Sequence, residues 1–107
     1  MKITANEAEK NQPFLAITGK IKTYEDFLEF KNVIDSTLEK FKNKSNSELF
    51  LFFIDTYPIN SYAIGYLMKL KENDKVNVQI YTNNMKTLNL FQYLELDKKF
   101  QIIIKQN

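Results

Sequence analysis

The stretch LFLFFIDTYPINSYAIGYLMKL, Leu49 to Leu70, changes its pattern twice, and the fold turns on how those changes are read. Residues 49 to 54 are apolar without alternation, the pattern of a short central strand covered on both faces. Pro58, Asn60 and Ser61 then mark a polar loop. Beyond it Ala63, Ile64, Leu67 and Met68 recur at helical spacing, which predicts a helix with one inward stripe. Either Asn60 or Ser61 suits the cap of that helix, a contact worth about 1 kcal/mol. Gly65 costs a helix about 1 kcal/mol relative to Ala, so it is expected where the helix lies hard against the sheet.

Upstream, PFLAITG reads as a second strand, bounded by Pro13 and Gly19. Residues 1 to 9 alternate weakly through Ile3 and Ala5 and give a marginal first strand. From Thr23 the spacing becomes helical, with Tyr24, Phe27, Leu28, Ile34, Leu38 and Phe41 on one stripe and a Thr23/Asp26 cap at its start. The polar run KNKSNSE ends this helix in a loop. Downstream, VNVQIY alternates, with Val76, Val78 and Ile80 on one side and Asn77, Gln79 and Tyr81 on the other, so one face is wet. A third helix, near Asn84 to Leu94, is expected to turn Met85, Leu88, Phe91 and Gln92 or Leu94 inward, with either Phe91 or Tyr93 left exposed. FQIIIK closes the chain as a last strand.

The order β-β-α-β-α-β-α-β predicts a single α/β domain over residues 1-107: a mostly parallel sheet built from βα repeats. Right-handed crossovers then collect the helices mainly on one face. The second face of the 49 to 54 strand therefore needs a cover, which the N-terminal segment, a curl of the sheet or another copy of the chain (a homodimer) would supply.

Composition narrows function mainly by exclusion. The chain has 107 residues, 44% hydrophobic, with nine Phe and six Tyr, enough for one core. It has no His and no Cys. Zinc sites, disulfides, thiol nucleophiles and imidazole-based triads are thereby excluded. Two glycines cannot build a phosphate-cradling loop. The 15 basic residues are all Lys and stand against 13 acidic ones. Without Arg there is no bidentate fork for phosphate or guanine, so nucleic acid is disfavoured as a partner. Lys40, Lys42 and Lys44 beside Phe41 read as a solvated helix end that suits the dipole. Asp55, Tyr57, Tyr62 and Lys69 are the remaining candidates for catalysis, and structural roles are expected for all four; the reading is of no enzyme, cofactor or metal site. No apolar run approaches the roughly 18 residues of a membrane span, which gives the expectation of a cytoplasmic protein without membrane insertion.

Loops at the C-terminal ends of parallel strands lie along one edge, where such folds place their sites. Three loops share that edge here: Gly19 to Thr23, Asp55 to Ser61 and Thr82 to Asn84. The residues expected to meet a partner are Gly19, Lys20, Asp55, Thr56, Asn60, Ser61, Tyr62, Thr82 and Asn83. Tyr57, Tyr62 and Tyr66 form a candidate aromatic patch, with at least one of them expected to pack on the sheet. A phosphate on Ser61 or Tyr62 would add about −1.5 to −2 charges near a helix start and alter which surface fits there.

The order of elements, ITGKI after the second strand, the central strand LFLFFID and the helix start INSYAIGYLMKL together resemble a STAS domain of the anti-sigma factor antagonist type, over about residues 2 to 104. That family carries an apolar strand ending in Asp, then an Asp-Ser-Ser-Gly-Leu-Gly-like helix start whose second Ser or Thr accepts phosphate from a partner kinase. Asp55 matches the strand-end Asp, Ser61 the first Ser, Ile64 the Leu and Gly65 the second Gly. Asn60, Tyr62 and Ala63 depart from the motif, Tyr62 at the phosphoacceptor itself. Its hydroxyl lies about 4 Å further out than that of a Ser. The resemblance implies a bacterial, non-enzymatic signalling module in the regulation of transcription, with its phospho-switch weakened or lost. Implied partners are an anti-sigma kinase-like protein, a stress-signalling complex or a transporter to which the chain is an accessory subunit. A receiver-like domain phosphorylated on Asp55 is the alternative, although ITGKI supplies no acidic pair for magnesium.

Overall fold

The computed structural model describes residues 1–8, 12–41 and 48–105. Its elements are β1 (Lys2–Ala8), β2 (Gln12–Thr18), α1 (Tyr24–Phe41), β3 (Glu48–Ile54), α2 (Ser61–Glu72), β4 (Asn77–Thr82), α3 (Met85–Tyr93), a 3-10 turn (Leu96–Lys98) and β5 (Gln101–Ile104). The five strands lie in one sheet in the order β1-β2-β3-β4-β5. β1 pairs antiparallel with β2, and every other pair is parallel. The chain is thus an α/β fold with a mostly parallel sheet and three helices.

Two rows of side chains across the strands explain why this register holds. Leu15, Leu51, Ile80 and Ile102 stand side by side, as do Ile17, Phe53, Thr82 and Ile104. A slip of one residue would turn every one of these groups to the other face. The helices pack on that side: Phe27, Phe30 and Ile34 of α1, Ala63, Tyr66, Leu67 and Leu70 of α2, and Phe91 of α3 share one apolar cluster with Leu15, Ile17, Leu49, Leu51, Phe53, Val78 and Ile80. A large side chain fully buried in this way contributes about 1.5–3 kcal/mol.

Some expected positions differ. Tyr24, Met85 and Leu94 are exposed, and Phe30, Thr37 and Thr87 are turned inward in their helices. Met85 and Leu94 occupy the two ends of α3, where no neighbouring element covers them, and Tyr93 is exposed while Phe91 is buried. A Cβ placed on Gly65 would meet nothing within 4 Å, so this glycine does not mark close packing against the sheet. The N-terminal strand lies beside β2 in the plane of the sheet and does not cover the second face of β3. Lys40 is exposed, whereas the side chain of Phe41, residues Lys42 and Lys44 and the expected loop after them fall outside the described residues.

Candidate functional site

The three strand-end loops are joined into one rim by contacts between segments distant in sequence. Ile21 and Ile59 form an isolated parallel bridge beyond the sheet. The Ile21 N–H donates to the Pro58 carbonyl and the Asn60 N–H to the Ile21 carbonyl, both at 2.9 Å. The Tyr57–Pro58 peptide bond in this loop is cis. Asn60 completes the join: its Oδ1 accepts from the Ala63 N–H at 3.0 Å, and its Nδ2 donates to the Thr23 carbonyl at 3.0 Å. Asn60 therefore caps α2, and Ser61 is the first residue of the helix, exposed. Asn60 serves both segments at once because its amide puts the acceptor for the helix and the donor for the neighbouring loop on two separate atoms, whereas a Ser hydroxyl has a single oxygen for both.

The third loop is fastened through Asn83, whose Oδ1 accepts from the Asp55 N–H at 2.8 Å. Asp55 sits in the left-handed region at φ 50, a conformation that Asp tolerates better than most residues. Beneath it a layer of threonines links strands to loops. Thr56 donates to the Ile17 carbonyl at 2.7 Å, Thr82 to the Phe53 carbonyl at 3.0 Å and Thr87 to the Thr56 carbonyl at 2.5 Å. Thr56 and Thr82 are fully buried, so these two proposed contact residues hold the rim up from inside and cannot meet a partner. Asn84 caps α3, accepting from the N–H groups of Lys86 and Thr87.

Gly19 has a structural cause of its own. At φ +111 it is strained for any other residue, and a Cβ there would lie 3.0 Å from the Met1 Cα. Lys20 beside it is exposed. Thr23 and Asp26 form a reciprocal cap at the start of α1: the Asp26 carboxylate accepts from the Thr23 and Lys22 N–H groups, and the Thr23 hydroxyl accepts from the Asp26 N–H. Those backbone donors at Thr23 and Lys22 hold the Asp26 carboxyl below the usual range.

The tyrosines do not form one patch. Tyr62 is 56% exposed and its ring leans on Tyr24, edge to face at 5.0 Å, and on Phe27, stacked at 5.7 Å. Tyr66 is buried one turn further along α2, and its hydroxyl donates to Asp35, which also pairs with Lys31 at 2.6 Å. Burial first and the Asp35 bond second push the Tyr66 hydroxyl well above its ordinary value. At Asp35 burial acts upward, but the bonds from Lys31 and Tyr66 outweigh it and the carboxyl is lowered. Tyr57 points to the other side, with the Lys86 ammonium 5.8 Å from its ring centre. Tyr24, assigned by spacing to the inward stripe of α1, is thus a surface neighbour of Tyr62; its place at the very first turn, ahead of the packed stripe, is the only sequence sign of this.

The structure thus brings Gly19, Lys20, Asp55, Asn60, Ser61, Tyr62 and Asn83 to one end of the molecule. Among the described residues no group of three or more carboxylates gathers as a metal-binding cluster would. No described helix is long and apolar enough to cross a membrane. Comparison with family models, with curated proteins and with solved structures gives no match.

Proposed function

We propose that the chain is a non-enzymatic protein-interaction module of the STAS-like, anti-sigma factor antagonist type, which presents Ser61 and Tyr62 to a protein partner on a rigid rim. One observation carries this reading. Three loops 20 to 60 residues apart in sequence are tied by the Ile21–Ile59 bridge, by Asn60 and by Asn83, yet Tyr62 above them stays open to solvent. Loops so fixed have little conformational entropy left to lose on binding. A half-exposed aromatic ring supported by other rings has the character of an interface anchor.

The modified motif favours recognition over phosphorylation. In Asn60-Ser61-Tyr62-Ala63, Asn60 supplies the cap, Tyr62 replaces the short hydroxyl and is seated against Tyr24 and Phe27, and Ser61 stands at the helix start. A kinase surface fitted to Ser at the Tyr62 position meets a packed ring instead. The partner classes in keeping with this reading are a kinase-like regulator, a stress-signalling assembly and a transporter.

Affinity capture from the source cell tests it, using immobilised wild type, Tyr62→Ala and, as a control at the far end of α3, Tyr93→Ala. Loss of an interface anchor costs about 2 kcal/mol or more, so Tyr62→Ala is expected to retain less than about a tenth of the specific partner. Tyr93→Ala is expected to retain it all. Equal capture by all three proteins sinks the proposal.

A further inference from the structure

The face of the sheet opposite the helices is not an ordinary wet surface. By register it carries Phe14, Phe50 and Gln79 in one row and Ala16, Phe52, Tyr81 and Ile103 in the next. Phe50 and Tyr81 stack at 6.5 Å, and Phe52 meets Tyr81 edge to face at 6.4 Å. Phe52 is 8% exposed and yet stands outside the apolar cluster under the helices. No described helix lies over these rings. A contiguous aromatic face of this kind on a small chain marks an interaction surface.

The charges on this face choose the occupant. Glu48 lies at one end, at the start of β3, on the same side as Phe50 and Phe52. Lys2 and Lys105 lie at the other end. Lys2 stands opposite Thr18 at the C-terminal end of β2, and the Lys105 N–H pairs with the Thr82 carbonyl at the C-terminal end of β4. The Lys105 ammonium sits 5.9 Å from the Phe52 ring centre and 5.6 Å from that of Tyr81. The face therefore runs from an acidic end through an aromatic middle to a basic end. Such a strip is complementary to itself when turned end for end, which is what a two-fold, isologous contact requires. An axis along the strands would instead set Lys2 against the Lys105 side of the second copy.

We propose that two copies of this chain associate through their helix-free sheet faces, about a two-fold axis that crosses the strands, so that the Glu48 end of each copy meets the lysine end of the other. Two sheets so packed stand about 10 Å apart with their aromatic rows interleaved. The rims remain outside the contact, one at each end, so the dimer offers two partner sites.

Sedimentation equilibrium of the purified chain tests this over a range of concentrations from about 1 to 200 μM. Wild type is expected to approach twice the 12.7 kDa chain mass. Ile103→Lys, at a position already 37% exposed and so compatible with folding, is expected to raise the dissociation constant about 100-fold, a factor of ten for each of the two symmetry-related copies. Glu48→Lys weakens the dimer, and the triple variant Glu48→Lys, Lys2→Glu, Lys105→Glu, which reverses both ends, restores it. Tyr62→Ala leaves it unchanged, so failure here is separate from failure of the rim reading. A wild-type chain that stays monomeric at 200 μM overturns the proposal. So does Ile103→Lys dimerising as wild type does while circular dichroism shows it folded, or a single-stranded oligonucleotide binding this face in competition with self-association.

Discussion

Along β3, odd and even residues share one chemistry and meet two different surroundings. Leu49, Leu51 and Phe53 are wholly buried beneath the helices. Phe50, Phe52 and Ile54, of equal apolarity, look out from the helix-free side, where side chains of the same sheet and, at Phe52, the Lys105 ammonium are their neighbours. A doubly apolar strand thus announces that both its faces avoid water, without saying what excludes it. On one side the answer is the chain's own helices, and on the other no described helix supplies it.

The sharpest way to break this comparison is to cut the same ring from each side. Phe53→Ala is expected to lose about 3–5 kcal/mol in urea unfolding, since it leaves a cavity that packed neighbours cannot close. Phe50→Ala, measured at a concentration that keeps the chain monomeric, is expected to lose about 1 kcal/mol, because part of that ring is already wet. Equal losses would mean that the two faces are alike after all.

Helix α2 repeats the contrast on a smaller scale. Its inner side is full, but around Gly65 its outer side is empty. Gly65→Ala is therefore expected to raise stability by about 1 kcal/mol, read as an upward shift of the urea midpoint with an unchanged slope. Destabilisation would show that the outer side of α2 is occupied. The smallest effect is electrostatic. Asp26 and Asp35 both have lowered carboxyls in the fold. The unfolded chain then binds protons more readily, so their contribution is present above the ordinary carboxylate value of about 4 and fades as pH falls below it. Unfolding free energies measured from pH 7 down to pH 3 are expected to show that decline, and Asp26→Asn to flatten part of it.

Much of the fold was legible because it rests on local pattern. The alternation in VNVQIY placed Val78 and Ile80 inward and left Gln79 and Tyr81 on the other face, as found. Among the described residues the strand and helix order follows the expected one, and the short 3-10 turn at Leu96–Lys98 and the Ile21–Ile59 bridge were unforeseen. What escaped depends on distance along the chain. Asn60 and Ser61 are equally good caps in isolation; the Thr23 carbonyl, 37 residues away, favours Asn60. Thr56 and Thr82 look like polar surface residues until the Ile17 and Phe53 carbonyls are seen to take their hydroxyls. The clip between Asp55 and Asn83 spans 28 residues and leaves no trace in either loop alone. A glycine in a helix means close approach or open space with the same letter, and only the neighbours decide.

The strands stand side by side in the order in which the ribosome makes them. Each ladder joins two consecutive strands, so β1 and β2 can close as a hairpin before β3 exists, and each later strand adds to a finished edge. No strand waits for a segment yet to be synthesised, which keeps loop-closure entropy low at every step and shortens the time any edge stays unpaired during translation. The last strand to arrive, only four residues long, leaves a brief edge on which little else can add.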